Sequence, residues 1–139
     1  MKKEICVITA DLVKSREILN RSEVQEKLKS TIQEVNKKYK EYILTDFMIT
    51  LGDEWQGALE NIEKSYEIIN DFQNGFFPIK IAFGIGEGNI STKISKKVIE
   101  MDGEAFINSR GALNISKKEK RNITFVIKDK EKEKTINII

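Results

Sequence analysis

The segment Leu51–Trp55 constrains the fold most, because it places a Gly-Asp pair between two strand-like runs. Phe47–Thr50 precedes the pair and Trp55–Leu59 follows it. Two such runs joined by Gly-Asp are typical of a β-hairpin with a two-residue turn. The sequence therefore predicts two antiparallel strands, over residues 43–51 and 54–60.

Acidic residues gather around this turn. Asp53 is at its tip, Glu54 follows it, and a separate apolar run over residues 5–10 ends in Asp11. If that run is a strand beside the hairpin, Asp11 and Asp53 can share one metal ion. Convergent carboxylates in a chain without histidine favour hard cations such as Mg²⁺ or Mn²⁺. The alternative is that Asp53 is a plain turn residue, as Asp beside Gly commonly is.

Length and composition exclude several protein classes. We expect the 139 residues to form a single domain over residues 1–139, with an ordinary soluble balance of 33% charged and 40% hydrophobic residues. A net charge of +2 is too small to indicate direct nucleic-acid binding. The single cysteine, Cys6, cannot form an intramolecular disulfide, and neither a signal peptide nor a long apolar segment is visible. These features predict a cytoplasmic protein.

Hydrophobic periodicity predicts the other elements. In chain order, we expect a strand over 4–10, a helix over 22–41, the hairpin, a helix over 61–72, a strand over 79–85, a helix from near residue 102, a strand over 123–127, a charged turn over 128–134 and a strand over 135–139. The β-α-β-β-α-β order predicts an α+β, ferredoxin-like fold, in which a mostly antiparallel sheet carries helices on one face. The first and third strands are then neighbours, so Asp11 faces the hairpin turn.

Several motifs resemble known families. Ala10–Leu12 resembles the first metal-binding stretch of the palm domain of class III nucleotide cyclases and diguanylate cyclases, and Leu51–Trp55 resembles their hairpin motif. More narrowly, residues 9–16, 52–57 and 101–106 together are similar to the bacterial SatD family. The resemblance implies a palm domain with a two-metal centre for phosphoryl transfer.

The resemblance also implies roles for individual residues. The implied metal ligands are Asp11, the Leu12 carbonyl, Asp53 and Glu54. The implied catalytic residues are Asp11, Asp53 and Arg16. The implied nucleotide contacts are Lys14, Ser15, Arg16 and Gly52. Strand alternation can point Glu54 away from Asp53, so its role as a ligand is open. Lys14 and Arg16 are equally consistent with solvated loop residues.

The implied function is Mg²⁺- or Mn²⁺-dependent nucleotidyl transfer or cyclisation of a nucleoside triphosphate for signalling, in a homodimer. Cyclases carry an asparagine and, four residues later, an arginine on the helix after the fourth strand, whereas this chain has Asn108 and Ala112. A non-catalytic nucleotide sensor is therefore an alternative. A further alternative is a regulatory module of a SatD-like stress-response operon, with a membrane protein as partner.

Overall fold

The computed structural model describes residues 4–13 and 20–138. Its five strands are β1 (Glu4–Leu12), β2 (Ile43–Leu51), β3 (Glu54–Leu59), β4 (Ile81–Asn89) and β5 (Ile123–Val126). Its four helices are α1 (Arg21–Lys38), α2 (Ser65–Phe76), α3 (Glu104–Lys118) and α4 (Lys130–Ile138). None of these described helices has the length and apolar character needed to cross a membrane.

The strands form one sheet in the order β2-β3-β1-β4-β5. All neighbouring pairs are antiparallel except β4 and β5, which are parallel. The first four strands with α1 and α2 have the β-α-β-β-α-β topology, so the predicted α+β, ferredoxin-like fold is confirmed. The predicted pairing of the first and third strands is also confirmed, and it sets Asp11 opposite Glu54.

The hairpin turn has the predicted length of two residues. Leu51 and Glu54 are paired across the two strands, which leaves Gly52 and Asp53 between them. Gly52 has a φ of 56°, a left-handed conformation that glycine adopts without the steric cost of a Cβ atom. The glycine therefore lets β2 reverse direction directly before Asp53.

Helices α1 and α2 cover one face of the sheet, as predicted. The larger core cluster lies between them and the sheet, and it includes Leu28 and Ile32 of α1, Ile68 and Phe72 of α2, and Ile8 of β1. The third helix differs from the expectation of helices on one face only, because α3 packs on the opposite face. Successive side chains of a strand point to opposite faces, so every second residue of each strand faces α3.

The second helix begins later than predicted. It starts at Ser65 rather than residue 61, and Tyr66, in its first turn, is 52% exposed. The side chain of Asn61 accepts a hydrogen bond from the Glu63 amide, and the Ser65 hydroxyl donates to the Ile62 carbonyl. These local bonds hold residues 61–64 in a turn, since Asn and Ser side chains compete with the helical backbone.

The predicted C-terminal strand is wrong, because residues 130–138 form α4. The Asp129 carboxylate accepts hydrogen bonds from the amides of Glu131 and Lys132, both at 3.1 Å, which satisfies two donors that a helix start leaves unpaired. Lys130 and Glu133 pair one turn apart at 2.8 Å. The alternating charges that indicated a solvated turn therefore belong to a capped, charged first helical turn.

Candidate metal and nucleotide site

Asp11 and Glu54 form a cross-strand pair at the end of β1. Thr9, two residues before Asp11, contacts Ser109 of α3, so Asp11 also faces α3. Glu54 faces the same side, where it meets Arg110 of α3. The structure therefore brings two of the predicted metal ligands together under one helix.

Arg110 holds Glu54 in a two-pronged ion pair. Its two terminal nitrogens donate to the two carboxylate oxygens at 2.6 and 2.8 Å, and Thr50 donates a further hydrogen bond at 2.9 Å. Burial acts to raise the pKa of Glu54, but the hydrogen bonds from Arg110 and Thr50 and the charges of Arg110 and Lys117 outweigh it, so the pKa is lowered. Glu54 is thus held as a carboxylate.

Lys117 pairs with Asp11 in the same way. Its Nζ lies 2.7 Å from Asp11 Oδ2. From the sequence, Lys117 and Lys118 are most simply a solvated pair, and only the packing of α3 over the sheet brings Lys117 to Asp11. The sequence signal that could have found it is spacing, because Lys117 lies seven residues, or two helical turns, after Arg110.

Asp53 has its partners on the other face of the sheet. Arg21 of α1 lies 3.0 Å from Asp53 Oδ2, and Gln25 of α1 donates to the other carboxylate oxygen. Its backbone stays close to β1, since the Leu12 amide donates to the Asp53 carbonyl at 3.4 Å. Asp11 and Asp53 are thus close along the backbone, but Asp53 pairs with α1 and Asp11 pairs with α3. The structure does not bring their carboxylates together, in contrast to the expectation that they share one metal ion.

The donor chemistry of this corner suits a hard cation. Across the described part of the chain, no three acidic, histidine or cysteine side chains are grouped as a ready metal cage. Mg²⁺ in proteins is commonly held by one or two carboxylates together with substrate phosphates. Asp11 and Glu54 supply such a pair of carboxylates. They fit a cation that arrives with a phosphate ligand.

A buried polar chain lies directly beneath this pair. Gln56 donates to the Thr9 hydroxyl at 2.8 Å, the hydroxyls of Thr9 and Ser109 lie 2.8 Å apart, and Ser109 donates to the Gly84 carbonyl at 2.8 Å. The chain crosses from β3 through β1 to α3 and β4. It fixes α3 against the sheet at the residue before Arg110, and the sequence offered no periodic signal for it.

The alternate glycines of β4 serve the same packing. A Cβ atom on Gly84 would lie 2.2 Å from the Leu113 amide nitrogen, and one on Gly86 would lie 2.1 Å from the Ser109 amide nitrogen. Both glycines admit the backbone of α3 at a distance that no residue with a Cβ atom allows.

The other predicted site residues have mixed outcomes. Gly52 is exposed at the turn, and Lys14, Ser15 and Arg16 lie outside the described residues. Trp55 is fully buried against Phe72 and Phe76, so its role is in packing.

The helix residues that cyclases use in catalysis have structural roles here. Asn108 donates a hydrogen bond to the Glu87 carbonyl at 2.9 Å, and Ala112 is buried. Asn108 is thereby tied to β4, and Ala112 has no polar atom in its side chain. The transition-state pair is therefore absent in the register that cyclases use.

The chain matches the SatD family over residues 5–139. It belongs to the SatD family. This confirms the resemblance that the motifs around Asp11, Asp53 and Asp102 indicated. No curated protein sequence matches the chain significantly.

Solved structures of nucleotide cyclases have the same fold as this SatD-family chain. A bacterial light-regulated adenylyl cyclase superposes with a TM-score of 0.63 and 11% identity, covering 90% of this chain and 76% of that one. The guanylate cyclase domain of RhGC from Catenaria anguillulae, solved in complex with GTP, gives 0.58 and 15%, covering 81% and 73%. An EAL/GGDEF domain protein from M. capsulatus gives 0.56 and 14%, covering 88% and 84%. The similarity to these proteins is a similarity of fold.

Proposed function

We propose that this SatD-family domain binds a nucleoside triphosphate with Mg²⁺ or Mn²⁺ and transfers or cyclises its nucleotidyl group to form a signalling nucleotide. The observation that carries the proposal is the pair of carboxylates, Asp11 and Glu54, at the end of β1 beneath two cationic side chains of α3. The cyclase-like fold supports it, since the neighbour from Catenaria anguillulae was solved with GTP.

The proposed ligands of the cation are Asp11, Glu54 and the Leu12 carbonyl. Asp53 is not among them, because its carboxylate pairs with Arg21 and Gln25 on the other face of the sheet. A bound cation in such a site neutralises phosphate charge and helps to activate the attacking hydroxyl. Most of the barrier lowering in phosphoryl transfer comes from this charge neutralisation and from alignment.

Cationic side chains are proposed to bind the phosphates. Arg110 and Lys117 reach the site from α3, and Lys14, Ser15, Arg16 and Gly52 are the contacts proposed from the β1–α1 loop and the hairpin. An arginine fork suits phosphate oxygens, because it donates two parallel hydrogen bonds. In a homodimer, a second copy of the chain adds donors to the same site.

A nucleotide sensor is the second candidate, and one observation favours it. Asn108 is tied to the Glu87 carbonyl and Ala112 is buried, so the usual pair of transition-state donors is missing. A domain that holds the triphosphate and cation without such donors binds without turnover. Nucleotide binding would then change the affinity of the domain for a partner protein. For a stress-response module, the proposed partner is a membrane protein.

Product analysis tests the proposal. The purified chain is incubated with Mn²⁺ and each of the four ribonucleoside triphosphates, and mass spectrometry follows pyrophosphate and cyclic or linear nucleotide products. We expect one triphosphate to be consumed, and Asp11→Asn to lower the rate by about 100-fold or more, as loss of electrostatic transition-state stabilisation does. Asp46→Asn, at an exposed carboxylate of the same hairpin, is the matched control.

Three outcomes are distinguishable. Product formation that depends on Asp11 supports the enzyme. Tight metal-dependent binding without product over many hours supports the sensor. If no triphosphate is bound or consumed, both candidates are wrong.

A further inference from the structure

The two carboxylates beneath α3 belong to a charge-balanced group of four. Arg110 pairs with Glu54 and Lys117 pairs with Asp11. The pairs also act on each other, because the charge of Asp11 contributes to the raised pKa of Arg110, after the hydrogen bond and the charge of Glu54, against the opposing effect of burial. Two negative and two positive charges therefore form a single electrostatic unit.

The cations cover the carboxylates. The side chains of Glu54 and Asp11 are 12% and 19% exposed, whereas those of Arg110 and Lys117 are 47% and 52% exposed. Both carboxylate oxygens of Glu54 are taken by Arg110, and Oδ2 of Asp11 is taken by Lys117. A cation that binds both carboxylates therefore has to displace Arg110 and compete with Lys117. We call Arg110 and Lys117 the α3 cation pair.

The backbone beneath the α3 cation pair is held in place. Each cation directly follows a buried serine that bonds the sheet: Ser109 donates to the Gly84 carbonyl, and Ser116 donates to the Phe83 carbonyl, both at 2.8 Å. The contact of α3 with Gly84 and Gly86 leaves no room for a closer approach. When the side chains leave the carboxylates, their charges therefore remain within a side-chain length of the site.

We infer that the α3 cation pair makes this site selective for a divalent cation that arrives with a polyphosphate, and weak toward the free cation. A free Mg²⁺ or Mn²⁺ ion would break the ion pairs and leave an excess of two positive charges among groups that repel it. A polyphosphate removes this excess, because it carries more negative charge than the cation carries positive charge, and its oxygens become the new partners of Arg110 and Lys117. This inference rests on the proposed function and adds that the cation and the polyphosphate bind together.

Binding measurements with Mn²⁺ test the inference without any turnover. Water proton relaxation enhancement reports protein-bound Mn²⁺, first for Mn²⁺ alone and then for the preformed complex of Mn²⁺ with inorganic tripolyphosphate. We expect the wild type to bind the complex about 10-fold or more tightly than Mn²⁺ alone, within the usual range of coupling between two ligands.

Lys117→Gln gives the decisive result, because its two expected effects have opposite signs. Removal of the positive charge tightens Mn²⁺ alone by several-fold, roughly 3- to 10-fold, and weakens the tripolyphosphate complex by a similar factor. Arg110→Gln is the second variant, with the same two signs. Lys118→Gln, at the exposed neighbour of Lys117 on the same helix, is the matched control and changes neither affinity.

The outcomes separate this inference from the proposed function. If the wild type binds the complex but neither variant tightens Mn²⁺ alone, the inference is overturned and the proposed function survives. A loss of both affinities in the variants indicates a structural role and also overturns it. If the wild type binds neither Mn²⁺, the tripolyphosphate complex nor any metal-bound nucleoside triphosphate, the proposed function itself fails.

Discussion

The two faces of the sheet are packed differently. The face toward α1 and α2 is filled with large aromatic and aliphatic side chains, among them Trp55, Phe72 and Phe76, which are fully or almost fully buried. The face toward α3 brings a helix backbone against Gly84 and Gly86 and fills the contact with hydroxyl groups. The α3 face also has an apolar cluster, which includes Val7 and Phe106, but among the described residues only this face adds buried hydroxyl contacts to it.

This difference separates stability from positioning. Apolar burial is non-directional and roughly proportional to area, so the aromatic face stabilises the domain without fixing any one atom closely. Hydrogen bonds near 2.8 Å and glycine contacts restrict the placement of α3 much more narrowly. The charged site lies on the face where placement is restricted, since Arg110 and Lys117 have to reach Glu54 and Asp11.

The largest expected effect is on the aromatic face. Phe72→Ala removes a fully buried ring that packs edge-on against Phe47 and obliquely against Trp55, and we expect a loss of about 3–5 kcal/mol in the free energy of unfolding. Denaturant titration measures the loss. Phe77→Ala, at a neighbouring ring that is 79% exposed, should change stability by about 0.5 kcal/mol or less.

The folded fraction of Phe72→Ala should still bind the complex of Mn²⁺ with tripolyphosphate. Loss of that binding at temperatures where the variant is folded would show that the two faces are not independent. It would contradict the separation of stability from positioning.

On the α3 face, Gly86→Ala is expected to reduce both stability and binding. The new Cβ atom would lie 2.1 Å from the Ser109 amide nitrogen and 2.5 Å from the Ala105 carbonyl oxygen, so α3 has to move outward. Overpacking of this kind typically costs about 1–3 kcal/mol. Because Arg110 moves with α3, binding of the tripolyphosphate complex should fall in the folded variant, as calorimetry can measure.

Gly111→Ala, on α3 itself, is the control for Gly86→Ala on β4. A Cβ atom there meets nothing within 4 Å, and alanine is a better helix former than glycine, so we expect a gain of about 0.5–1 kcal/mol. Equal effects at Gly86 and Gly111 would contradict the assignment of the β4 glycines to close helix packing.

The smallest expected effect is the acid dependence of the Glu54 ion pair. The pKa of Glu54 is lowered in the folded chain, so its contribution to stability is complete above the unfolded pKa and is lost as pH falls through the folded value. We expect Glu54→Gln to flatten the decline in the free energy of unfolding between about pH 5 and pH 2. Urea titrations over that range measure it. Glu26→Gln, an exposed substitution on α1, should keep a decline closer to that of the wild type.

Local patterns determined most of the fold. The Gly-Asp turn predicted the hairpin, and the bounds of β2 at Ile43 and Leu51 agree with the expectation from sequence. Turns of this kind are specified by the conformations open to a few adjacent residues, and strands by a period of two. One error is the start of α2, at Ser65, and another is the type of the last element, which is a helix from Lys130 and not a strand. At both places a polar side chain helps to decide whether a turn or a helix forms.

The candidate site likewise has one part that local patterns predicted and one part that they did not. The sequence by itself determined that the end of β1 lies beside the hairpin, because that pairing follows from topology. It predicted that Asp11 would meet Asp53, whereas the structure pairs Asp11 with Glu54. Only the tertiary structure decided that Arg110 and Lys117 cover them while Asp53 turns to Arg21. Those contacts join residues 32 to 106 positions apart, and a side chain's partner at such separations depends on how helices pack on the two faces, which no local pattern encodes.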